Sequence, residues 1–267
     1  MMTLKLADGR SLAYREAGEG PALLLLHGWA QSSAVFAEVM PELARDFRVL
    51  APDLRGHGGS ALGERYALED YAADVLEMLD LLGLGSLALG GWSLGGQVAL
   101  RLAQSAPQRI RRLLLIGTTP RFILDADWPF GLPDAQVRSL SRNLQRAFEK
   151  TLADFFDLQF APEEITPERR QGILGFARGD GRLPDPSAAL GGLGTLREVD
   201  LRAHLGAIVC PTLVMHGAED RIVPSGAGRF LAQGIGQARW CEMPGVGHAP
   251  FLSRPGQSLN YWREFLR

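Results

Sequence analysis

The chain has 267 residues, 46% hydrophobic and 22% charged, which is the make-up of an ordinary globular protein with one sizeable core and room for an insertion. A formal net charge of −2 excludes the concentrated basic surface that nucleic acid demands. The opening Met1-Met2-Thr3-Leu4-Lys5 lacks the apolar core of a signal peptide, and no apolar run approaches the length of a bilayer span. The expectation is a cytoplasmic monomer without a membrane partner.

Residues 4–16 alternate about Asp8-Gly9, predicting a β-hairpin. Continuous apolar runs follow at 22–26, 47–52, 87–89, 113–116 and 208–215. Runs apolar on both faces suit the buried strands of a parallel sheet. The amphipathic stretches between them, 33–45, 68–82 and 97–105, are predicted helices. Alternating strand and helix implies an α/β fold with right-handed crossovers and helices on both faces of a mostly parallel sheet. The rhythm breaks after Pro120. Helical patterning occupies 136–158 and 167–176, followed by a Gly/Pro-rich exit at 179–186. A helical insertion of this kind reads as a cap over the carboxyl edge of the sheet, where such sheets bind ligands. The expected division is a core of 1–119 and 186–267 with a cap at 120–185. Cys210 and Cys241 lie beside apolar residues in predicted strands and read as buried free thiols.

The chemistry centres on Gly91-Trp92-Ser93-Leu94-Gly95-Gly96, placed between the run 87–89 and the predicted helix 97–105. A serine on a sharp strand-to-helix turn exposes its Oγ, and the glycines leave space for the turn. A serine needs a base, and the base needs an orienting group. His248 stands in the loop Pro244-Gly245-Val246-Gly247-His248-Ala249-Pro250. Asp220 follows the apolar run 208–215, with its neighbour Glu219 as the competing acid. The expected roles are Ser93 as nucleophile, His248 as base and Asp220 as its orienting acid. The oxyanion hole is expected from the N–H groups of Leu94 and of Trp29, in Leu26-His27-Gly28-Trp29. Trp29, Trp92, Trp128 and Phe155 are the expected substrate contacts. His27 is read as a brace for its loop, and His204 and His216 as structural. The loop Asp53-Leu54-Arg55-Gly56-His57-Gly58-Gly59-Ser60 lacks the Gly-Lys-Ser/Thr ending of a phosphate loop and is read as a structural border of the site. No cofactor fingerprint or metal-ligand spacing is present in the sequence, so neither a cofactor nor a metal is expected.

These motifs resemble the α/β-hydrolase superfamily over nearly the whole chain. More narrowly, the chain is similar to pimeloyl-[acyl-carrier protein] methyl ester esterases. The narrower likeness rests on Gly91-Trp92-Ser93-Leu94-Gly95-Gly96, Trp128-Pro129, the run from Gly191-Gly192-Leu193 to Asp200-Leu201-Arg202, and His248-Ala249-Pro250-Phe251. The resemblance implies a serine carboxylesterase that cleaves a methyl ester from an acyl chain on an acidic carrier protein, with basic cap residues engaging the carrier. Arg138, Arg142, Arg146 and Lys150 recur every four residues and would form one basic stripe on a continuous helix. The cap as a whole is not basic, holding 9 Lys/Arg against 11 Asp/Glu over 120–185. A broad short-chain carboxylesterase, a cofactor-free haloperoxidase and a C–C bond hydrolase share the same triad. Dehalogenases and epoxide hydrolases of this fold carry aspartate at the elbow, which Ser93 argues against. A receptor on the same fold would have lost a triad member.

Overall fold

The computed structural model describes residues 1–177 and 183–267; of the expected exit segment 179–186, residues 179–182 lie outside the described residues. The Asp8-Gly9 hairpin forms as read, with β1 (Met2–Lys5) antiparallel to β2 (Ser11–Ala17) and Gly9 at φ 84° in the turn. Then come β3 (Ala22–Leu26), a 3₁₀ turn (Ser33–Phe36), α1 (Met40–Leu43), β4 (Arg48–Pro52), α2 (Leu68–Leu81), β5 (Leu87–Trp92), α3 (Leu94–Ser105) and β6 (Ile110–Ile116). Among the described residues four helices follow without an intervening strand: α4 (Asp134–Arg146), α5 (Phe148–Leu158), α6 (Pro167–Ala177) and α7 (Pro186–Glu198). The chain closes with β7 (Thr212–Gly217), α8 (Ser225–Gly234), β8 (Ala238–Met243), α9 (Pro250–Ser253) and α10 (Pro255–Leu266).

Among the described residues eight strands form one sheet in the order β1-β2-β4-β3-β5-β6-β7-β8. The first two pairings are antiparallel, and every pairing from β4 onward is parallel. Side chains alternate across each strand, so β3 feeds two cores. Leu24 and Leu26 pack with Tyr71 of α2 and Val98 of α3, while Leu23 and Leu25 pack with Leu43 of α1 and Trp262 of α10. Each leucine so buried contributes about 2 kcal/mol, and this double burial holds the carboxyl ends of β3, β5, β6 and β7 in a fixed row.

Beyond small extensions of strands and helices at their ends, three elements differ from the sequence reading. The helix expected at 33–45 is instead a 3₁₀ turn and a single helical turn, because Pro41, lacking an N–H, can sit only at the start of a helix. The strand expected from Ile208 starts at Thr212, after Pro211, and Val209 is exposed. The helix expected over 136–158 breaks at Ala147, whose φ of −149° and ψ of 65° are not helical, giving α4 and α5.

Helix α7 carries no helical signal in the sequence, since Gly191, Gly192 and Gly194 each disfavour a helix. Packing overrides that preference. Asp185 caps the helix through Ser187 N, and Pro186 stands in its first turn. A Cβ at Gly191 would run into the Tyr66 ring, and one at Gly192 would press on Trp29 and the Tyr71 hydroxyl. The glycines let α7 lie directly on the core.

Candidate active site

Ser93 sits between β5 and α3 at φ 56° and ψ −116°, a backbone conformation that a residue with a side chain rarely takes. Close packing enforces it. A Cβ at Gly91 would fall on the Gly95 carbonyl, one at Gly95 on the carbonyls of Leu26 and His27, and one at Gly96 on the Thr118 side chain. Ser93 N donates to Ile116 O at 2.9 Å, tying the turn to the end of β6.

The loop after β3 reaches the same place. Gly28 lies so near the elbow that an added Cβ would stand 3.1 Å from the Trp92 ring and 3.3 Å from Ser93 Cβ. Ala30 holds φ 58°, a second strained residue beside the site. His27 braces this loop as expected: Nδ1 donates to Gly28 O at 2.8 Å and Nε2 accepts from Leu54 N at 2.9 Å. Asp53 adds a further tie, accepting from Ser33 N at 2.7 Å and Gly59 N at 2.8 Å. Among the described residues, neither Trp29 N–H nor Leu94 N–H donates to a protein acceptor. Leu94 also opens α3, so its amide carries the positive end of a helix dipole.

His248 and Asp220 meet at the far ends of β8 and β7. His248 Nδ1 donates to Asp220 Oδ2 at 2.6 Å, and both side chains are buried. Asp220 Oδ1 accepts from Ile222 N and Val223 N, each at 2.8 Å. Burial alone would raise the Asp220 carboxyl, but the imidazoles of His248 and His216 hold it well below the usual carboxylate range. Glu219, the competing acid, is exposed, and its backbone N–H donates to Val246 O at 2.9 Å. His248 itself is gripped through its backbone. Its N–H donates to Gln159 O at 2.7 Å, and its carbonyl accepts from Trp92 Nε1 at 2.9 Å. Among the described residues His248 Nε2 is buried without a partner, leaving the nitrogen opposite the Asp220 bond available.

Several of the expected side chains are held by contacts within the protein. Trp92, expected to contact substrate, is 1% exposed, packs on Phe251 and His248, and braces the histidine backbone. Trp128 is likewise 1% exposed, held by Phe130, Phe230 and the Arg202 guanidinium, with its indole N–H on Arg121 O. Both indoles are enclosed by protein. Trp29 meets Phe155 of α5 edge to face at 4.8 Å and donates to Ala189 O of α7 at 2.7 Å. Beyond it a cavity of about 290 Å³ opens, lined by Ala30, Gln31, Ser32, Leu152 and Phe156. His216, read as structural, places Nε2 3.1 Å from Asp220 Oδ2 and 2.8 Å from Val223 O. Its spacing of four residues from Asp220 is the one signal that could have tied it to the acid.

Arg138, Arg142 and Arg146 lie on α4 and Lys150 on α5, so the break at Ala147 divides the expected single stripe. Arg138 pairs with Asp134, and Lys150 with Asp154 at 2.7 Å. Arg142 and Arg146 are exposed and make no ion pair among the described residues. No helix of the described residues is long and apolar enough to cross a membrane.

A family model described as the alpha/beta hydrolase fold matches residues 21–255. The chain belongs to the α/β-hydrolase family. Within that family, it is 39% identical over 257 residues to a pimeloyl-[acyl-carrier protein] methyl ester esterase of Nitrosomonas europaea, covering 94% of this chain and 97% of the relative. A relative of the same name from Chromobacterium violaceum is also 39% identical, over 88% of this chain and 90% of its own. Among solved structures, an esterase from Exiguobacterium antarcticum superposes with a TM-score of 0.92 at 25% identity, covering 99% of this chain and 98% of that one. Within the α/β-hydrolase family the chain is a carboxylic-ester hydrolase.

Proposed function

We propose that this hydrolase removes the methyl group from a pimeloyl-[acyl-carrier protein] methyl ester by way of an acyl-enzyme on Ser93. The observation that carries the chemistry is the buried His248–Asp220 bond of 2.6 Å, set beside the Ser93 elbow through the Trp92–His248 hydrogen bond. The likeness in name and length to the curated esterases supports the choice of substrate. Ser93 Oγ attacks the ester carbonyl while His248 Nε2 takes its proton, and the Trp29 and Leu94 amides receive the negative charge on oxygen. Methanol leaves with the proton from His248. Water, deprotonated by His248, then attacks the acyl-Ser93 ester, which frees the carboxylate and restores the serine. Asp220 orients the imidazole and stabilises its charged form. Helices α4 to α6 act as the cap over this centre, with Phe155 and Trp29 at the seam, and the exposed Arg142 and Arg146 offer the carrier positive charge.

A broad short-chain esterase is the second reading, favoured by one observation: Arg138 and Lys150 already have acidic partners, which halves the stripe open to a carrier. Hydrolysis of a pimeloyl-carrier methyl ester, measured beside free dimethyl pimelate and short p-nitrophenyl esters, separates the two. A higher kcat/KM on the carrier-bound ester is expected. Turnover of only the free short esters would leave the second reading in place.

A further inference from the structure

The histidine loop is clamped by a piece of the helical insertion that no catalytic motif contains. Residues 159–164, just after α5, form a tight turn in which Glu164 N donates to Ala161 O at 3.2 Å and Glu163 holds φ 59°. Glu164 is buried, and one of its oxygens, Oε2, accepts from Ala161 N at 2.6 Å and from Gly247 N at 2.8 Å. The same turn supplies Gln159 O to His248 N at 2.7 Å. Gly247 has no room for a side chain, since a Cβ would stand 2.5 Å from Gln159 O and 2.8 Å from Ala161 N. Two arginines fix the turn from the core: Arg254 Nη1 donates to Glu164 O and Arg221 Nη2 to Phe160 O, each at 3.0 Å. Arg221 directly follows Asp220 in sequence, so the turn is tied to the acid loop as well as to the histidine loop.

A buried carboxylate is costly unless its oxygens are satisfied. Here Oε1 has no partner among the described residues, so Glu164 bears that cost while its other oxygen joins two backbone amides from separate parts of the chain. We propose that Glu164 is a positioning residue: with Gln159 O, it sets the backbone of Gly247-His248 so that the imidazole stands correctly between Asp220 and Ser93. Seating of the helical insertion is thereby a condition of catalysis and not only a matter of substrate shape. The inference rests on the reading of His248 as the catalytic base.

The test uses the full-length protein with Glu164→Ala, Glu164→Gln and Glu164→Asp. Displacing a reacting group by about 1 Å can cost roughly 10²-fold in rate. Glu164→Ala should therefore lose kcat on a small neutral ester on that order, with KM held within about twofold, and the amides of Gly247 and His248 should exchange hydrogen faster. A glutamine side chain can still accept from both amides through its carbonyl oxygen, so Glu164→Gln should recover most of the rate. If the alanine variant does not fold, Glu164→Asp, shorter by one methylene, carries the test through the same kcat and exchange readouts. Wild-type kcat together with unchanged exchange in the alanine or aspartate variant would overturn the proposal, as would an equal loss of rate in the glutamine variant. Ser93→Ala is assayed alongside. If it kept its activity, the catalytic reading would fall by itself, while amide exchange would still report whether Glu164 holds the loop.

Discussion

His248 meets Asp220 through Nδ1, 2.6 Å from Oδ2, and leaves Nε2 buried and without a protein partner among the described residues. That pairing fixes one tautomer, with the proton on the side of the acid and the lone pair on the side opposite. Asp220→Asn should lower kcat by up to about 10⁴-fold, because an amide can present N–H to Nδ1 and favour the wrong tautomer. Glu219→Gln should leave kcat within about threefold, because that side chain is exposed. Steady-state kinetics on one soluble ester decides it. A larger loss in the Glu219 variant would move the acid to that residue.

The elbow tolerates no side chain at Gly96, where a Cβ would overlap Thr118 Oγ1 and Cγ2. Overpacking of a close-packed interior costs about 1–3 kcal/mol. Gly96→Ala should therefore lower Tm by several degrees and reduce kcat, since the strained Ser93 backbone depends on this contact. Thermal unfolding followed by circular dichroism, with kinetics on the folded fraction, measures both effects. Unchanged Tm and kcat would mean that the turn relaxes more easily than its packing implies.

Stability should depend on acid through His57. Burial, and then the neighbouring His27 imidazole, bring His57 from 6.5 down to about 4 against the opposing hydrogen bond to Arg55 O. In the unfolded chain the imidazole gains its proton as pH falls through 6.5, while in the folded protein it resists until about 4. Unfolding thus takes up a proton in that window, so stability is full above it, falls as pH drops through it, and levels off below. Urea unfolding at several pH values should show this slope, and His57→Asn should make it shallower. Buried His27 is shifted in the same direction and should keep part of the slope. An unchanged slope in the variant would remove His57 from the account.

Much of the site was legible in the sequence because its chemistry is local in the chain. Gly91, Gly95 and Gly96 announce a tight turn by their lack of side chains, and the apolar runs announce the buried strands that carry Ser93 and Asp220. What could not be read depends on contacts far apart in sequence. The Trp92 indole N–H donates to the carbonyl of His248, 156 residues further along the chain. Three glycines within α7 argue against a helix until Gly191 and Gly192 are found packed on Tyr66 and Trp29. The helix break at Ala147 also escapes pattern reading, since alanine is the best helix former and only tertiary packing can turn the chain there.

The divided stripe leaves Arg142 and Arg146 as the cap cations without an acidic partner among the described residues. Reversing both to glutamate should raise KM for a carrier-bound ester and leave a small neutral ester almost unaffected. The carrier reaction alone should weaken with salt, because screening limits such charges to about 8 Å at physiological ionic strength. Equal effects on both substrates, or none, would make α4 an ordinary wet face and favour the short-chain esterase.

The central claim, an acyl-enzyme on Ser93, is tested most directly by covalent trapping. The protein is incubated with a fluorophosphonate, its intact mass is measured, and the labelled peptide is sequenced. One label per chain should appear, on the peptide containing Ser93, and ester hydrolysis should fall in step with labelling. Ser93→Ala should take no label and should lose roughly 10³-fold or more in kcat. A label on another residue, or near-wild-type turnover by Ser93→Ala, would contradict the account.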